Sequence, residues 1–244
     1  MAGCSICTIG ADKKLRYFQL ATRLDNNVSE NTILGTHSDY INGCAFNLSD
    51  QSNFSPGTVL ASVSDDHKCS IWNIETRQEM ATLYLKSPGM AVSWHQSVAD
   101  QLMVAEQLGS IKIYDVRSGA VVNSLQTKEV PLQDAHWSPS DESQIGVVAG
   151  LSWYIWTVNQ GVRPSVLQAL AHMDGVSTFR WSLTNPNFFA CSGHQSRVSV
   201  WDKTHPSAPH TYKLQSSRIQ GLSWLQYANC LVTGSDHSIL FWLV

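Results

Sequence analysis

ASVSDDHKCSIWN, residues 61–73, is the stretch that decides the fold. It reads as two short apolar strands joined by a tight turn at Asp65-Asp66. Side chains alternate with period two on both sides of that turn, as half-buried strands require. Asp is a turn former because its side chain bonds backbone groups close by in sequence. The second strand ends in Trp72, and this residue opens a ladder. Trp72, Tyr114, Trp156, Trp201 and Trp242 lie 42, 42, 45 and 41 residues apart. They end CSIWN, IKIYD, YIWT, VSVWD and ILFW respectively. A second ladder of Phe46, Trp94, Trp137, Trp181 and Trp224 runs ahead of the first. Two aromatic-anchored strands per unit of about 40 residues is the signature of WD-type β-propeller blades.

Working outward, the unit at about 35–86 starts at Gly35-Thr36-His37, a loose Gly-His opening that SPGM (87–90) of the next unit lacks, and takes INGCAF (41–46) as its innermost strand, VLASVS (59–64) and KCSIWN (68–73) next, and EMATLYL (79–85) outermost. Units follow at about 87–128, 129–170, 171–215 and 216–244, the last lacking an outer strand. Ahead of them, ICTIG (6–10) and KLRYF (14–18) predict the second and third strands of an earlier blade at 1–34, with Thr8, Asp12 and Phe18 in the places of Ser62, Asp66 and Trp72. The expectation is therefore an all-β, WD40-type propeller in one domain: five blades plus a partial one. Closed rings remove exposed sheet edges, so the unmatched ends predict a missing N-terminal segment rather than an open ring.

One blade carries the full WD hydrogen-bonding set by position: His37, Ser62, Asp66 and Trp72. A buried indole N–H needs an acceptor, and a Ser hydroxyl can accept it while donating to His. The same residue types make a catalytic triad, but a nucleophilic Ser needs an exposed, strained turn, whereas Ser62 is mid-strand. The reading is structural. Tyr114, Trp156, Trp201, Asp236 and Trp242 are the expected blade anchors. Elsewhere the set is eroded: Leu108, Gly150 and Gln195 stand where the turn Asp belongs.

Other chemistry is weakly represented. The nine His and six Cys show no zinc or HExxH spacing, and no phosphate loop is present. No enzyme activity, metal or cofactor is expected. Cys4-x-x-Cys7 runs into a strand rather than a helix, unlike a redox motif. A net charge of −3 with scattered Lys and Arg gives no nucleic-acid footprint. No apolar run approaches 18 residues, and the first residues lack the pattern of a secretory leader. Loops are the natural docking elements; residues 22–34, 47–57 and THPSAPH (204–210) stand out.

Several segments carry a more specific likeness. ASVSDDHKCSIWNIE (61–75), SPGMAVSWH (87–95), LMVAEQLGSIKIYD (102–115), VPLQDAHW (130–137), GVVAGLSWYIW (146–156), HMDGVSTFRWS (172–182), FFACSGH (188–194), GLSW (221–224) and GSDHSILFW (234–242) resemble the nucleoporin 37 family. The resemblance implies a seven-bladed WD-repeat subunit of the outer-ring, Y-shaped nuclear pore scaffold, here starting inside the second blade. It implies a scaffold role in pore assembly and in transport of mRNA and protein. It also implies docking to other outer-ring nucleoporins, especially a large propeller/helical arm subunit, residence at the nuclear envelope, and kinetochore association in mitosis. The competing reading is a WD-repeat adaptor of a chromatin, ubiquitin-ligase or trafficking assembly, since fold alone does not fix function.

Overall fold

The computed structural model describes residues 4–20, 28–49, 57–158, 164–194, 196–214, 217–236 and 238–244. Among them the chain forms 22 strands in six antiparallel sheets. The first sheet has three strands, β1 (Cys4–Ile9), β2 (Lys14–Leu20) and β3 (Val28–Thr36). The second has four, β4 (Ile41–Phe46), β5 (Val59–Ser64), β6 (Lys68–Asn73) and β7 (Gln78–Tyr84). The third comprises β8 (Gly89–Trp94), β9 (Gln101–Glu106), β10 (Ser110–Asp115) and β11 (Ala120–Gln126). The fourth comprises β12 (Leu132–Trp137), β13 (Gln144–Ala149), β14 (Ser152–Thr157) and β15 (Ser165–Leu170). The fifth comprises β16 (Val176–Trp181), β17 (Phe188–Gly193), β18 (Arg197–Asp202) and β19 (Thr211–Leu214). The sixth has three strands, β20 (Ile219–Trp224), β21 (Cys230–Ser235) and β22 (Ser238–Leu243).

The chain divides into two compact units, residues 1–107 with 111–124, and residues 108–110 with 125–244. In the first unit the sheets bury apolar side chains against one another. Leu15 and Leu34 of the first sheet meet Ile41, Leu60 and Trp72 of the second. Val63, Cys69 and Ile71 then meet Val92, Trp94, Leu102 and Val104 of the third. All six residues of β5 are buried. A strand covered on both faces reads as a continuous apolar run, whereas the outer strand β7 begins with three exposed residues.

The second unit is built the same way with larger rings. Phe179 and Phe189 stack at 5.0 Å, Trp153 meets Phe189 edge-on at 4.9 Å, and Trp201 lies 5.5 Å from Trp153. Such offset and edge-on pairs place ring edges against ring faces. Gly146 is required here: a Cβ on it would fall 2.1 Å from the Phe179 ring. Val198 and Val200 continue the core against Ile219, Leu222, Trp224 and Leu231.

Two details depart from the sequence reading. The outer strand of the first sheet runs through Thr36, two residues past the expected boundary at 34, and Gly35 pairs with Leu15. A Cβ on Gly35 would sit 2.3 Å from the Trp72 indole, so this glycine clears room for the ring rather than opening the next blade. In the fourth sheet, Trp156 holds the ladder position opposite Ile145 but is only partly buried. The fully buried ring is Trp153.

Candidate docking surface

The residues that could have been catalytic are locked into the sheet. Trp72 Nε1 donates to Ser62 Oγ at 2.8 Å, and Ser62 Oγ lies 2.8 Å from His37 Nε2. His37 Nδ1 is 2.9 Å from Asp66 Oδ2. With the His37 proton on Nδ1, every donor in this chain has one acceptor, from indole through hydroxyl and imidazole to carboxylate. Asp66 also accepts from the backbone N–H of Ser38 and of Lys68. Burial opposes its ionisation, but the Ser38 and His37 hydrogen bonds outweigh that and hold its carboxyl below the usual range. Ser62 is 0% exposed, so no substrate reaches its hydroxyl. The β5–β6 turn closes on His67, whose φ of 63° is left-handed.

Other sheets keep the function of this network with different residues. In the fifth, Trp201 donates to Ser199 at 2.8 Å, and Ser199 lies 3.0 Å from His172. Cys191 pairs with Ser199 as Ser62 pairs with Ser70, so the hydroxyl has crossed to the neighbouring strand. In the sixth, Trp242 donates to Thr233 at 2.9 Å. Asp236 there is exposed, with Gln220 at 3.5 Å. Tyr114 in the third sheet is buried, which raises its phenol pKa.

The turn carboxylate is replaced as well. Leu108 is exposed, but the buried Glu106 accepts from the N–H groups of Lys86 and Ser87 at 2.7 and 2.9 Å and pairs with Lys112. This explains how SPGM enters its blade without the Gly-His opening. In the fourth sheet Glu129 accepts from Leu151 N and Ser152 Oγ across Gly150, whose φ is 57°. In the first sheet Asp12 pairs with Arg16, while Thr8 and Phe18 stand opposite Arg16 and Ile6. Gln195 lies outside the described residues, as do residues 22–27 and 50–56 of the loops singled out above. Within 204–210, Asp202 holds Thr204 and His205 in a local turn.

Exposed apolar surface gathers where the innermost strands end. Trp94 donates to the Ala45 carbonyl, Trp181 to that of His136 and Trp224 to that of Arg180, each near 3.0–3.1 Å. These bonds tie each innermost strand to the one before it and leave a cleft beside the ring. In the first unit the cleft is lined by Phe46, Leu48, Trp94 and His95. In the second unit an equivalent cleft is lined by Trp137, Pro139, Trp181 and Leu183, with Arg180 and His136 at its edge. Leu48 is 72% and Leu183 51% exposed. Beneath the second cleft, Arg180 Nη1 donates to Asp134 Oδ2 at 2.5 Å. Burial opposes ionisation of Asp134, but the charges of His136 and Arg180 and the Phe179 N–H hold it well below the usual carboxylate range. Among the described residues, no cluster of three or more His, Cys, Asp or Glu side chains could hold a metal ion, and no helix is long and apolar enough to cross a membrane.

Antiparallel sheets with aromatic-anchored strands and locked polar networks define an all-β WD-repeat propeller. The WD domain, G-beta repeat family matches residues 29–73 and 207–242. Human nucleoporin Nup37 is 38% identical over 239 residues, spanning 97% of this chain and 70% of that protein. Nucleoporin Nup37 of Drosophila melanogaster is 29% identical over 215 residues, 87% of this chain and 63% of that one. A chain in a crystal structure of the mitotic checkpoint complex superposes with a TM-score of 0.80 at 15% identity, covering 98% of this chain and 72% of that chain, a likeness of fold alone. The chain belongs to the nucleoporin Nup37 family.

Proposed function

We propose that this protein is a structural scaffold subunit of the nuclear pore outer ring, docking to other nucleoporins of the Y-shaped complex and supporting pore assembly and nucleocytoplasmic transport. The observation that carries the reading is 38% identity to human Nup37 along 97% of the chain. The locked His37–Ser62–Asp66 network supports it from the chemical side, because this triad-like set is spent on holding a sheet together. The partner is the large propeller/helical arm subunit, and each unit offers an apolar docking cleft, one beside Trp94 and one beside Trp181. Exposed Leu48 and Leu183 supply apolar area there that folding does not use. Residence at the nuclear envelope follows from the same reading, and kinetochore association in mitosis rests on the family likeness alone. The test is binding of the purified full chain to a purified outer-ring subcomplex. Leu183→Asp and Leu48→Asp should fold normally and lose binding; binding equal to the parent would sink the assignment of this surface.

A further inference from the structure

The sixth sheet carries a bare apolar face. Ile239, Phe241 and Leu243 alternate along β22 and are 67%, 65% and 81% exposed. They pair with Gly234, Val232 and Cys230 of β21, and Gly234 pairs in turn with Gly221 of β20. The second sheet has the same frame: β6 and β22 are both six residues long with the Trp fifth. Cys69 and Ile71 of β6 therefore hold the places of Ile239 and Phe241. They pair with Val63 and Ala61, are 0% and 1% exposed, and pack under Val92, Trp94, Leu102 and Val104 of the following sheet. Gly43 and Gly221 stand after the same register shift. A Cβ on Gly43 would lie 3.4 Å from the Met90 carbonyl oxygen, whereas one on Gly221 or Gly234 would meet nothing within 4 Å. Among the described residues, the other strand glycines, Gly35, Gly43, Gly89, Gly146 and Gly193, all meet a neighbour within that distance. By its pattern this is a packing face, and among the described residues nothing covers it.

Shape and charge decide what fits it. Ile239, Phe241 and Leu243 make a ridge on β22, and Gly221 and Gly234 make a hollow on the two strands beside it. This chain already seats rings over strand glycines: Phe179 over Gly146, and Trp72 over Gly35. A ridge beside a hollow is self-complementary under a two-fold axis, which brings the same patch of two copies together. Charge points the same way. β20, β21 and β22 contain no Asp, Glu, Lys or Arg, so two copies meet there without opposing like charges. We propose that a second copy of this chain covers the face, in a two-fold dimer that seats Phe241 of each protomer over the Gly221–Gly234 hollow of the other. The face shares no residue with the clefts beside Trp94 and Trp181, so dimer formation and docking to a nucleoporin are tested separately.

The experiment is sedimentation velocity of the full chain over a concentration series. Three short strands span about 20 by 10 Å by their rise and spacing. That is small beside the roughly 800 Å² per partner of a standard interface, so the dimer is reversible and half-forms on the order of 10–100 μM. The mass should rise from 27.0 kDa to twice that value and stop there. Phe241→Asp, at an exposed position, should keep the circular dichroism spectrum and raise the half-dimer concentration at least about tenfold. Gly234→Val fills the hollow with the residue that β5 already carries at that place, Val63. It adds apolar surface, yet it should weaken the dimer by a similar factor, whereas unspecific apolar association would strengthen. A parent chain that stays monomeric up to about 300 μM, well above that range, would overturn the proposal. So would assembly that grows past two copies, or a dimer that Gly234→Val leaves unchanged or tightens. The parent and Gly234→Val decide the matter even if Phe241→Asp fails to fold.

Discussion

Trp72 is the residue on which the first unit turns, and its removal has a calculable cost. The ring is 6% exposed and packs with Leu15, Leu34, Ile41 and Leu60. Its far edge lies over Gly35, where even a methyl group would collide. Trp72→Ala deletes the ring and leaves a cavity between two sheets, which costs about 3–5 kcal/mol for a buried aromatic. Part of that is polar. Trp72→Phe keeps much of the volume but removes the N–H to Ser62, for a loss of about 1–2 kcal/mol. Ser62→Ala instead strands the indole N–H and His37 Nε2 in a dry site, at about 1–3 kcal/mol. Because these changes remove the same hydrogen bond, the double variant should fall short of the sum by about 1 kcal/mol. The assay is urea unfolding followed by far-ultraviolet circular dichroism, since nine tryptophans blur fluorescence. An unchanged midpoint for Trp72→Ala would refute the packing argument. Strict additivity of the two single changes would refute the hydrogen-bonded network.

Further outcomes are expected. Gly35→Ala should destabilise by about 1–3 kcal/mol through overpacking against Trp72, and Gly35→Ala in a Trp72→Ala background should cost far less, both read from the same unfolding curves. Asp134 has a folded-state pKa below its unfolded value, so its stabilisation is present above the unfolded pKa of about 3.9 and fades as pH falls through the folded value. Acid titration of stability should accordingly be shallower below about pH 4 in Asp134→Asn than in the parent; matching profiles would remove Asp134 from the account. Glu106→Gln keeps both carboxylate-like oxygen positions only in part and loses the charge opposite Lys112, so hydrogen exchange at the Lys86 and Ser87 amides should accelerate, and unchanged exchange would count against that stitch. Leu183→Asp, on an exposed position, should leave stability within about 0.5 kcal/mol of the parent while abolishing capture of the partner.

Strand positions were legible because each blade repeats the same alternation between aromatic anchors. β4, β5 and β6 begin and end where the period-two pattern of INGCAF, VLASVS and KCSIWN does. The polar networks were legible only where residue types match the WD pattern, as at His37 and Asp66. Ser199 was missed because its hydroxyl serves Trp201 from the same strand, whereas Ser62 serves Trp72 from the neighbouring one; the signal was a Ser two residues before the Trp, which Ser70 also supplies beside Trp72. Glu106 and Glu129 were missed because a longer side chain reaches the same backbone groups from a different position. The reading of those blades as eroded reflects residue identity, whereas the structure preserves the bonds. Trp156 was favoured over Trp153 by spacing, but burial in this sheet follows which face meets the next sheet. The clefts beside Trp94 and Trp181 were invisible in sequence, since they arise between strands more than 40 residues apart.

The central claim is membership of the nuclear pore outer ring, and the direct measurement is affinity purification of the tagged chain at native level from nuclear-envelope extract, with recovered proteins quantified by mass spectrometry. The account predicts outer-ring nucleoporins recovered together in fixed ratio, with the large propeller/helical arm subunit retained longest as salt is raised. Recovery of a folded chain without any outer-ring nucleoporin, or with a chromatin, ubiquitin-ligase or trafficking assembly in their place, would contradict it.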